Sequence, residues 1–251
     1  MNSWFSADWP APDTVRTAIT TRYGGCSQPP YDSNNLGLHV GDNASDVLSN
    51  RQCLADSLHL SEQPLWLQQV HGTVVEYAPT ATGTPTADAS YSDQAGRACV
   101  VMTADCLPVL LCNQQGTRVA AAHAGWRGLC NGVLRNTVAT FSPSDQLMAY
   151  LGPAIGPEAF EVGAEVLQAF IDKSLNEKHR QQIEAAFMPS LGDKYRADLY
   201  ALARAELVNC GVKHIYGGDH CVYSSPDQFY SYRREPVTGR FASLIWLVNN
   251  G

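Results

Sequence analysis

The 251-residue sequence has no uninterrupted apolar run of about 18 residues, the length that a membrane-spanning helix needs. Positive charge is scarce: 17 Lys and Arg stand against 24 Asp and Glu, and the formal net charge of −7 argues against a general nucleic-acid surface. The first residues lack the basic segment and apolar stretch of a secretory signal, so we expect a cytoplasmic protein. A hydrophobic fraction of 45% with only 16% charged residues is typical of a globular protein with a sizeable core.

The sequence also lacks closely paired cysteines and His-x-His pairs. Its eight cysteines are dispersed along the chain, and without an export signal we expect mostly reduced thiols rather than a disulfide framework. Multicopper oxidases use many histidines, commonly in His-x-His pairs, whereas this chain has seven histidines and no such pair. The composition therefore argues against a multicopper cluster within one chain.

The order of apolar segments predicts a single α/β domain over residues 1–251, because no repeat or low-complexity linker divides the chain. Strands are predicted over 64–70, 73–78, 98–102, 106–112, 118–122, 147–151 and 214–218. One helix is predicted over 129–141, and a second is expected to begin after Asp198 as N-cap and to stop at Gly211. The crowding of strands between 64 and 122 favours mixed β-sheets with helices packed outside rather than a plain doubly wound sheet.

Three potential metal ligands stand at the ends of apolar segments. They are His71 in QQVHG, Cys106 in TADCLPV and His123 in AAHAGWRG. Strand ends that open into a shared cleft are where α/β sheets gather functional residues. Two imidazoles and one thiolate suit Zn²⁺, and copper also binds such nitrogen and sulfur ligands. Three protein ligands leave a fourth position for water or substrate, which is the arrangement of a catalytic site.

The same three residues allow other interpretations. A lone cysteine at a strand start is most often a small buried side chain, and a lone histidine is often structural. Their separations match no standard zinc signature. Cys106 is also a candidate nucleophile with a histidine as its base. The pattern by itself leaves the metal site and the nucleophile pair open.

Other polar residues near these motifs are candidates for binding substrate. Four arginines suit a phosphate group: Arg127, Arg233, Arg234 and Arg240. Tyr230 and Tyr232 lie close to three of them and could stack on a base. For each arginine the alternative is a solvated surface position. Asp105 could orient a metal-bound histidine or cap a turn.

Eight motifs occur in a fixed order: TRYGGCS, NNLGLHVGD, QQVHG, TADCLPVLL, HAGWRG, LGPAIGP, CVY and SYRRE…TGR. From about Thr20 to Ala242 they closely resemble the YfiH-like family. Its members have been called laccase-domain or polyphenol oxidase proteins, purine nucleoside phosphorylases and peptidoglycan editing factors. The resemblance implies that the histidine of QVHG, the cysteine of ADC and the histidine of HAGWRG bind zinc and form the active centre. Here these are His71, Cys106 and His123.

The resemblance also implies an activity on purine nucleosides. It implies phosphorolysis of adenosine, inosine, guanosine and methylthioadenosine, together with deamination of adenosine. We therefore expect a zinc enzyme, with copper possible, whose partners are small nucleosides and phosphate rather than nucleic acid or membrane. The nucleobase-deaminase signature H-x-E with P-C-x-x-C is absent, so deamination would use an independently arranged site. A copper-dependent polyphenol oxidase and a Cys-His hydrolase that edits peptidoglycan precursors are the alternatives.

Overall fold

A computed structural model, which describes residues 3–249, shows two β-sheets packed face to face with helices on both outer sides. Its strands are β1 (Trp4–Phe5), β2 (Val15–Thr20), β3 (Val75–Tyr77), β4 (Ala89–Ser92), β5 (Cys99–Thr103), β6 (Leu107–Asn113), β7 (Val119–Ala124), β8 (Leu147–Leu151), β9 (Glu161–Gly163), β10 (Phe187–Pro189), β11 (Lys194–Ala197), β12 (His214–Gly217) and β13 (Phe241–Leu247). Its α-helices are α1 (Ala44–Ser57), α2 (Trp126–Asn131), α3 (Val133–Val138), α4 (Ala164–Asp172), α5 (Glu177–Ala185) and α6 (Leu199–Asn209). A short 3-10 helix covers Ala78–Thr80. No helix in the described range is long and apolar enough to cross a membrane.

The largest sheet is mixed, as the sequence predicts. Its six strands follow the order β12-β8-β6-β7-β4-β3. The outer pairs β12–β8 and β3–β4 are parallel, and the inner pairs are antiparallel. The second sheet, β1-β2-β13-β5, is antiparallel throughout. A small antiparallel sheet, β10-β11-β9, completes the fold.

The alternation of side chains along the strands builds the layers. In β6, Leu110 and Cys112 point towards the second sheet, where they join a core with residues of β2, β5 and β13. Val109 and Leu111 point the other way, into a core shared with α2, α3 and α6. On the far side of the second sheet, α1 packs against β2, β5 and β13. The expectation of one α/β domain with outer helices is therefore confirmed. Its four layers are helices, the six-stranded sheet, the second sheet and α1.

One predicted strand is wrong. Residues 64–70 make only isolated bridges, from Leu65 to Cys99 and from Gln68 to Thr86. The side-chain amide of Gln69 forms hydrogen bonds with the backbone of Met102 in β5. Gln69 Oε1 accepts from Met102 N–H and Gln69 Nε2 donates to Met102 O, at 2.8 Å each. A side chain thus replaces the backbone ladder that would have extended the strand.

The predicted helix over 129–141 is two helices, because Gly132 adopts a left-handed φ of 97° between α2 and α3. The helix predicted after Asp198 is present: this side chain accepts from Tyr200 N–H and Ala201 N–H, and Gly211 follows its end with φ 86°. The other predicted strands are found within one or two residues of their expected limits. No element was predicted for α1, β2 or β13, although β2 and β13 are the two inner strands of the second sheet.

Candidate metal centre

His71 lies in the loop before β3, held there by a buried carboxylate. Its φ of 59° is left-handed, which is uncommon for a residue other than glycine. The carboxylate of Asp88 accepts the backbone N–H groups of Val70 (3.2 Å), His71 (2.9 Å) and Gly72 (2.6 Å). These three hydrogen bonds fix the loop and leave the His71 side chain exposed.

Cys106 stands directly before β6, in the turn that follows β5. The preceding Asp105 has a φ of 106°, and its carboxylate accepts from Ser231 Oγ–H and from Arg233 N–H, both at 2.6 Å. Asp105 therefore anchors the segment 231–233 against this turn. The suggestion that Asp105 orients a metal-bound histidine is wrong, because another carboxylate does so.

That carboxylate is Asp88, which the sequence analysis missed. His123 lies inside β7 opposite Pro108, with a nearly fully buried ring. Its Nδ1–H donates to Asp88 Oδ1 at 2.8 Å, so Nε2 is the nitrogen left for a metal. The signal in the sequence was an aspartate between two alanines in TADASYS, directly before a mostly buried strand, which suits a buried charge with a specific partner.

The three potential ligands converge. The ligand atoms of His71, Cys106 and His123 all lie within 4.8 Å of one another. Cys106 Sγ is 3.6 Å from His71 Nε2, and the two imidazole ring centroids are 4.8 Å apart. A tetrahedral zinc ion with nitrogen and sulfur ligands at about 2.0–2.3 Å separates them by about 3.3–3.8 Å. The cluster therefore fits one such ion after an approach of at most about 1.5 Å.

The electrostatics of the cluster favour the ligating form of the thiol. Burial raises the pKa of Cys106, but the charge of His123 and hydrogen bonds with both histidines outweigh it and lower that pKa to about 6. Burial lowers the pKa of His123, yet Cys106 and Asp88 raise it to about 9. For Asp88, hydrogen bonds from His123 and Gly72 overcome the effect of burial and lower the pKa. A thiolate at neutral pH is the form that metals bind.

The start of α2 packs directly on the cluster. A Cβ added at Gly125 would lie 2.8 Å from Cδ2 of His71 and 2.9 Å from Cys106 Sγ. Those distances are shorter than van der Waals contact, so glycine is required for the backbone to approach both ligands. The first glycine in HAGWRG, Gly125, is thus explained by close packing against the candidate centre.

The candidate arginines differ in what they contact. Arg127 is exposed in the first turn of α2, 4.3 Å from the ring centroid of Trp126. Arg233 donates to Ala159 O at 3.0 Å. Arg234 donates to three backbone oxygens, those of Val222, Tyr223 and Phe229, at 2.7–3.0 Å. The Arg234 guanidinium therefore links backbone segments.

Arg240 and His39 lie close enough to the cluster for their charges to interact with it. Burial lowers the pKa of Arg240, and the negative charges of Cys106 and Asp105 act in the opposite direction. His39 has its pKa lowered by partial desolvation of its ring and by the charges of Arg240, Arg51 and His123.

The two tyrosines behave differently. Tyr232 is 55% exposed, and the Arg240 guanidinium lies 5.9 Å from its ring centroid. Tyr230 is fully buried, and its hydroxyl donates to Tyr31 O at 2.7 Å. Stacking of a base on Tyr230 is therefore excluded by its burial.

Comparisons with known proteins agree over the whole chain. Residues 16–248 match the family described as Multi-copper polyphenol oxidoreductase laccase. Purine nucleoside phosphorylase YfiH of Escherichia coli strain K12 is 52% identical over 250 residues, which is 99% of this chain and 100% of that protein. Purine nucleoside phosphorylase PA4543 of Pseudomonas aeruginosa is 52% identical and covers 98% of this chain and 99% of its own. The crystal structure of Neisseria meningitidis protein NMB0706 superposes with a TM-score of 0.91 at 50% identity, covering 99% of this chain and 100% of that one.

Proposed function

The chain belongs to the YfiH-like family, whose model is described as Multi-copper polyphenol oxidoreductase laccase, and from this we propose that it is a zinc-dependent purine nucleoside enzyme. Its reactions are phosphorolysis of adenosine, inosine, guanosine and methylthioadenosine, and deamination of adenosine. The observation that carries the proposal is the convergence of His71, Cys106 and His123, with Asp88 behind them. The relatives named purine nucleoside phosphorylase, at 52% identity over nearly the whole chain, support the reaction class.

A single-ion centre suits the described residues better than a multicopper one. Within residues 3–249 the structure has one group of at least three His, Cys, Asp or Glu side chains close enough to share an ion. A multicopper cluster needs several such groups. One copper ion at the same three ligands is the copper alternative, and it would support polyphenol oxidation.

The residues of the site divide the work. His71, Cys106 and His123 would hold Zn²⁺, which would supply a Lewis acid to the reaction. Asp88 holds His123 in the tautomer that presents Nε2 and also fixes the His71 loop. Arg127, Arg233, Arg234 and Arg240 are the candidate contacts for phosphate, and the exposed Tyr232 is the candidate for stacking on the base.

Bond changes define the two reactions. In phosphorolysis, a phosphate oxygen attacks C1′ of the ribose while the C1′–N9 bond breaks. The purine leaves with that electron pair and takes up a proton. The second product is ribose-1-phosphate from adenosine, inosine or guanosine, and methylthioribose-1-phosphate from methylthioadenosine. In deamination, water adds at C6 of adenosine, and the C6–N6 bond breaks to release ammonia and inosine. In phosphorolysis the site must stabilise the phosphate anion and the departing purine, and in deamination it must stabilise the departing ammonia.

The deciding experiment supplies metal-defined protein with adenosine, with and without phosphate, and follows inosine, adenine and ribose-1-phosphate. We expect adenine and ribose-1-phosphate only with phosphate, and inosine under both conditions. Cys106→Ala should abolish all products, whereas Cys53→Ala, a substitution at an exposed cysteine in α1, should not. Absence of every product with zinc-loaded wild-type protein would contradict the proposal.

One observation favours a second candidate. Cys106 Sγ lies 3.6 Å from His71 Nε2, a thiol-imidazole pair of the kind that performs nucleophilic catalysis. A Cys-His hydrolase acting on an amide of a peptidoglycan precursor would use this pair without a metal. Activity of metal-free protein on such an amide, lost when zinc is added, would select this function.

A further inference from the structure

Two arginines that contact the loop over residues 35–42 are partly desolvated and have no carboxylate within ion-pair distance in the described part of the chain. Burial lowers the pKa of Arg51 to about 10 and also lowers that of Arg240. The ion pairs among residues 3–249 all involve other cations. Asp105 and Cys106 act on Arg240 through their charges but make no direct ion pair with it. A desolvated cation without a direct ion pair is costly, and an anionic ligand would offset that cost. A divalent ion at the cluster would add further positive charge on the same side.

The loop over residues 35–42 is fixed against Arg240. Asn35 Oδ1 accepts the N–H groups of Arg240 and Gly37, both at 2.9 Å. Leu36 N–H donates to Arg240 O at 3.0 Å. A Cβ added at Gly37 would lie 2.9 Å from Cγ of Arg240, so the arginine stem lies flat on this glycine. The loop and the arginine are thus positioned as one unit.

Behind the same loop, Arg51 contributes charge from a fixed position. Its Nε and Nη2 donate to Leu36 O at 2.9 and 2.7 Å, and its guanidinium lies 3.8 Å from the ring centroid of Trp66. These contacts hold Arg51 in place, so its role is electrostatic. His39, two residues after Gly37, is acted on by both arginines and by His123.

Arg240 keeps hydrogen-bonding capacity for a ligand. Its Nη1 donates to Thr238 O and Gly239 O, each at 3.0 Å. Within the described range, none of the hydrogen bonds that the structure shows uses its Nε or Nη2 as donor. By contrast, both Nη atoms of Arg234 already donate hydrogen bonds to backbone oxygens. Among the four candidate arginines, Arg240 therefore combines partial burial and free donors with a position directly before Phe241, which pairs with Thr103 at the start of the turn that carries Cys106.

We propose that Arg240 and His39, supported by the charge of Arg51, bind a tetrahedral oxyanion beside the candidate metal centre, and that this anion is inorganic phosphate. Arg240 donates two charge-assisted hydrogen bonds to phosphate oxygens, and His39 donates one from its neutral imidazole. The choice of phosphate rests on the proposed function, since phosphorolysis requires it as co-substrate. Arg127, Arg233 and Arg234 then contribute little to phosphate affinity.

The test measures binding of inorganic phosphate to the full-length, zinc-loaded protein by calorimetry, with zinc content determined for every variant. Arg240→Gln should weaken phosphate binding about ten- to hundredfold, because hydrogen bonds to a charged partner are lost. Arg240→Lys should fall between the wild type and Arg240→Gln, since it keeps the charge but loses the paired donors. His39→Gln, at an exposed loop position, should weaken binding at least about threefold.

Arg180→Gln is the matched control, because Arg180 is exposed on α5 and pairs only with Glu184. It should leave phosphate affinity unchanged. A dissociation constant within about twofold of wild type for zinc-loaded Arg240→Gln would overturn the proposal. If Arg240→Gln does not fold, Arg240→Lys and His39→Gln decide: unchanged affinity in both would also overturn it.

Steady-state kinetics separate this inference from the proposed function. Phosphorolysis by the wild type with an unchanged KM for phosphate in Arg240→Gln overturns the subsite and leaves the enzyme function standing. Phosphate binding that Arg240→Gln abolishes, without phosphorolysis of any purine nucleoside, supports the subsite while the proposed function fails. A raised KM for phosphate at an unchanged KM for nucleoside supports both.

Discussion

Asp88 determines the geometry of the candidate centre more than any other single side chain. It is fully buried and accepts four hydrogen bonds, three from consecutive backbone N–H groups and one from His123. One carboxylate thus positions two of the three ligands, although those ligands are far apart in the sequence. Four acceptor sites are available only on an ionised carboxylate, so an isosteric amide cannot replace it.

Asp88→Asn should therefore weaken metal binding about 10- to 100-fold, the usual effect of removing a group that orients a metal-bound histidine. The amide NH₂ would face backbone N–H groups that now donate to Asp88, so we also expect a loss of about 1–3 kcal/mol in unfolding free energy. Competition with a chromophoric chelator measures the first effect, and denaturant unfolding the second. Asp93→Asn, at an exposed carboxylate that binds Tyr77 and Arg118, is the control and should keep wild-type metal affinity.

The thiol of Cys106 should titrate at unusually low pH in metal-free protein. Its pKa is lowered to about 6, so it is protonated below that pH and a thiolate above it. Alkylation by iodoacetamide should rise through about pH 6 and be suppressed when metal is bound. Cys26 is an exposed cysteine whose pKa is raised by partial desolvation and by the charge of Asp46, so it should react in the same sample only at more alkaline pH. Peptide mass spectrometry distinguishes the two sites, and a shared alkaline midpoint would contradict the assignment.

At this scale the sequence pointed to the ligands but not to their support. His71, Cys106 and His123 each stand at one end of an apolar segment, and the family motifs contain them. Asp88 has no such mark, because its role depends on a β4–β7 pairing that brings it to His123 across the sheet. His39 was likewise left without a role, since its neighbours come from distant parts of the chain.

Among secondary-structure elements, the junction of β7 and α2 carries the closest packing in the site. His123 is inside the strand, and Gly125 is the N-cap of the helix only two residues later. The chain therefore turns from strand to helix while it touches two ligands. A side chain of any size at this junction must displace a ligand or the helix.

Gly125→Ala should reduce metal affinity by at least about tenfold, because its methyl group would press on His71 and Cys106 and spread the cluster. The φ of −60° at this position suits alanine, so the effect would come from contact and not from backbone strain. Gly83→Ala provides the opposite case, because its φ of 63° adds backbone strain whereas a Cβ there meets nothing within 4 Å and lies against no ligand. Metal affinity in Gly125→Ala equal to that in Gly83→Ala would show that the junction tolerates a side chain.

The sequence predicted secondary-structure elements well where their limits depend only on neighbouring residues. Asp198 and Gly211 bounded α6 correctly, because caps depend on neighbouring residues. Residues 64–70 have a strand-like pattern, yet the amide of Gln69 occupies the edge that the strand would use. The break at Gly132 was also readable in principle, since glycine is the residue that most easily adopts a left-handed φ.

For the whole molecule, the mixed α/β class followed from the crowding of short strands, but the two-sheet stack did not. β2, from the N-terminal part of the chain, pairs with β13 near its C-terminal end, and β13 pairs with β5. Such long-range pairing leaves no signal in a local window. The stack matters for the site, because β5 belongs to one sheet and β6 to the other, and the turn between them carries Cys106.

Metal binding should therefore stabilise the molecule as a whole. The cluster joins the His71 loop, the β5–β6 turn and β7, three segments that separate on unfolding. At a free metal concentration of 100 times the dissociation constant, binding to the folded state adds about 2.7 kcal/mol. For a domain of this size that corresponds to a rise in Tm of about 5–10 °C. Thermal unfolding of chelator-stripped and zinc-loaded protein measures the difference.

The control for this prediction is His71→Ala, which removes an exposed ligand without opening a cavity. Its Tm without metal should be close to that of the stripped wild type, and added zinc should raise it far less. Thermal unfolding with Cu²⁺ in place of zinc compares the two metals. Each is ranked by the rise in Tm that it produces in the wild type and does not produce in His71→Ala. Equal Tm values for stripped and loaded wild type, with metal shown to be bound, would mean that the three segments stay together during unfolding. In that case the ion would not connect the elements that we assign to it.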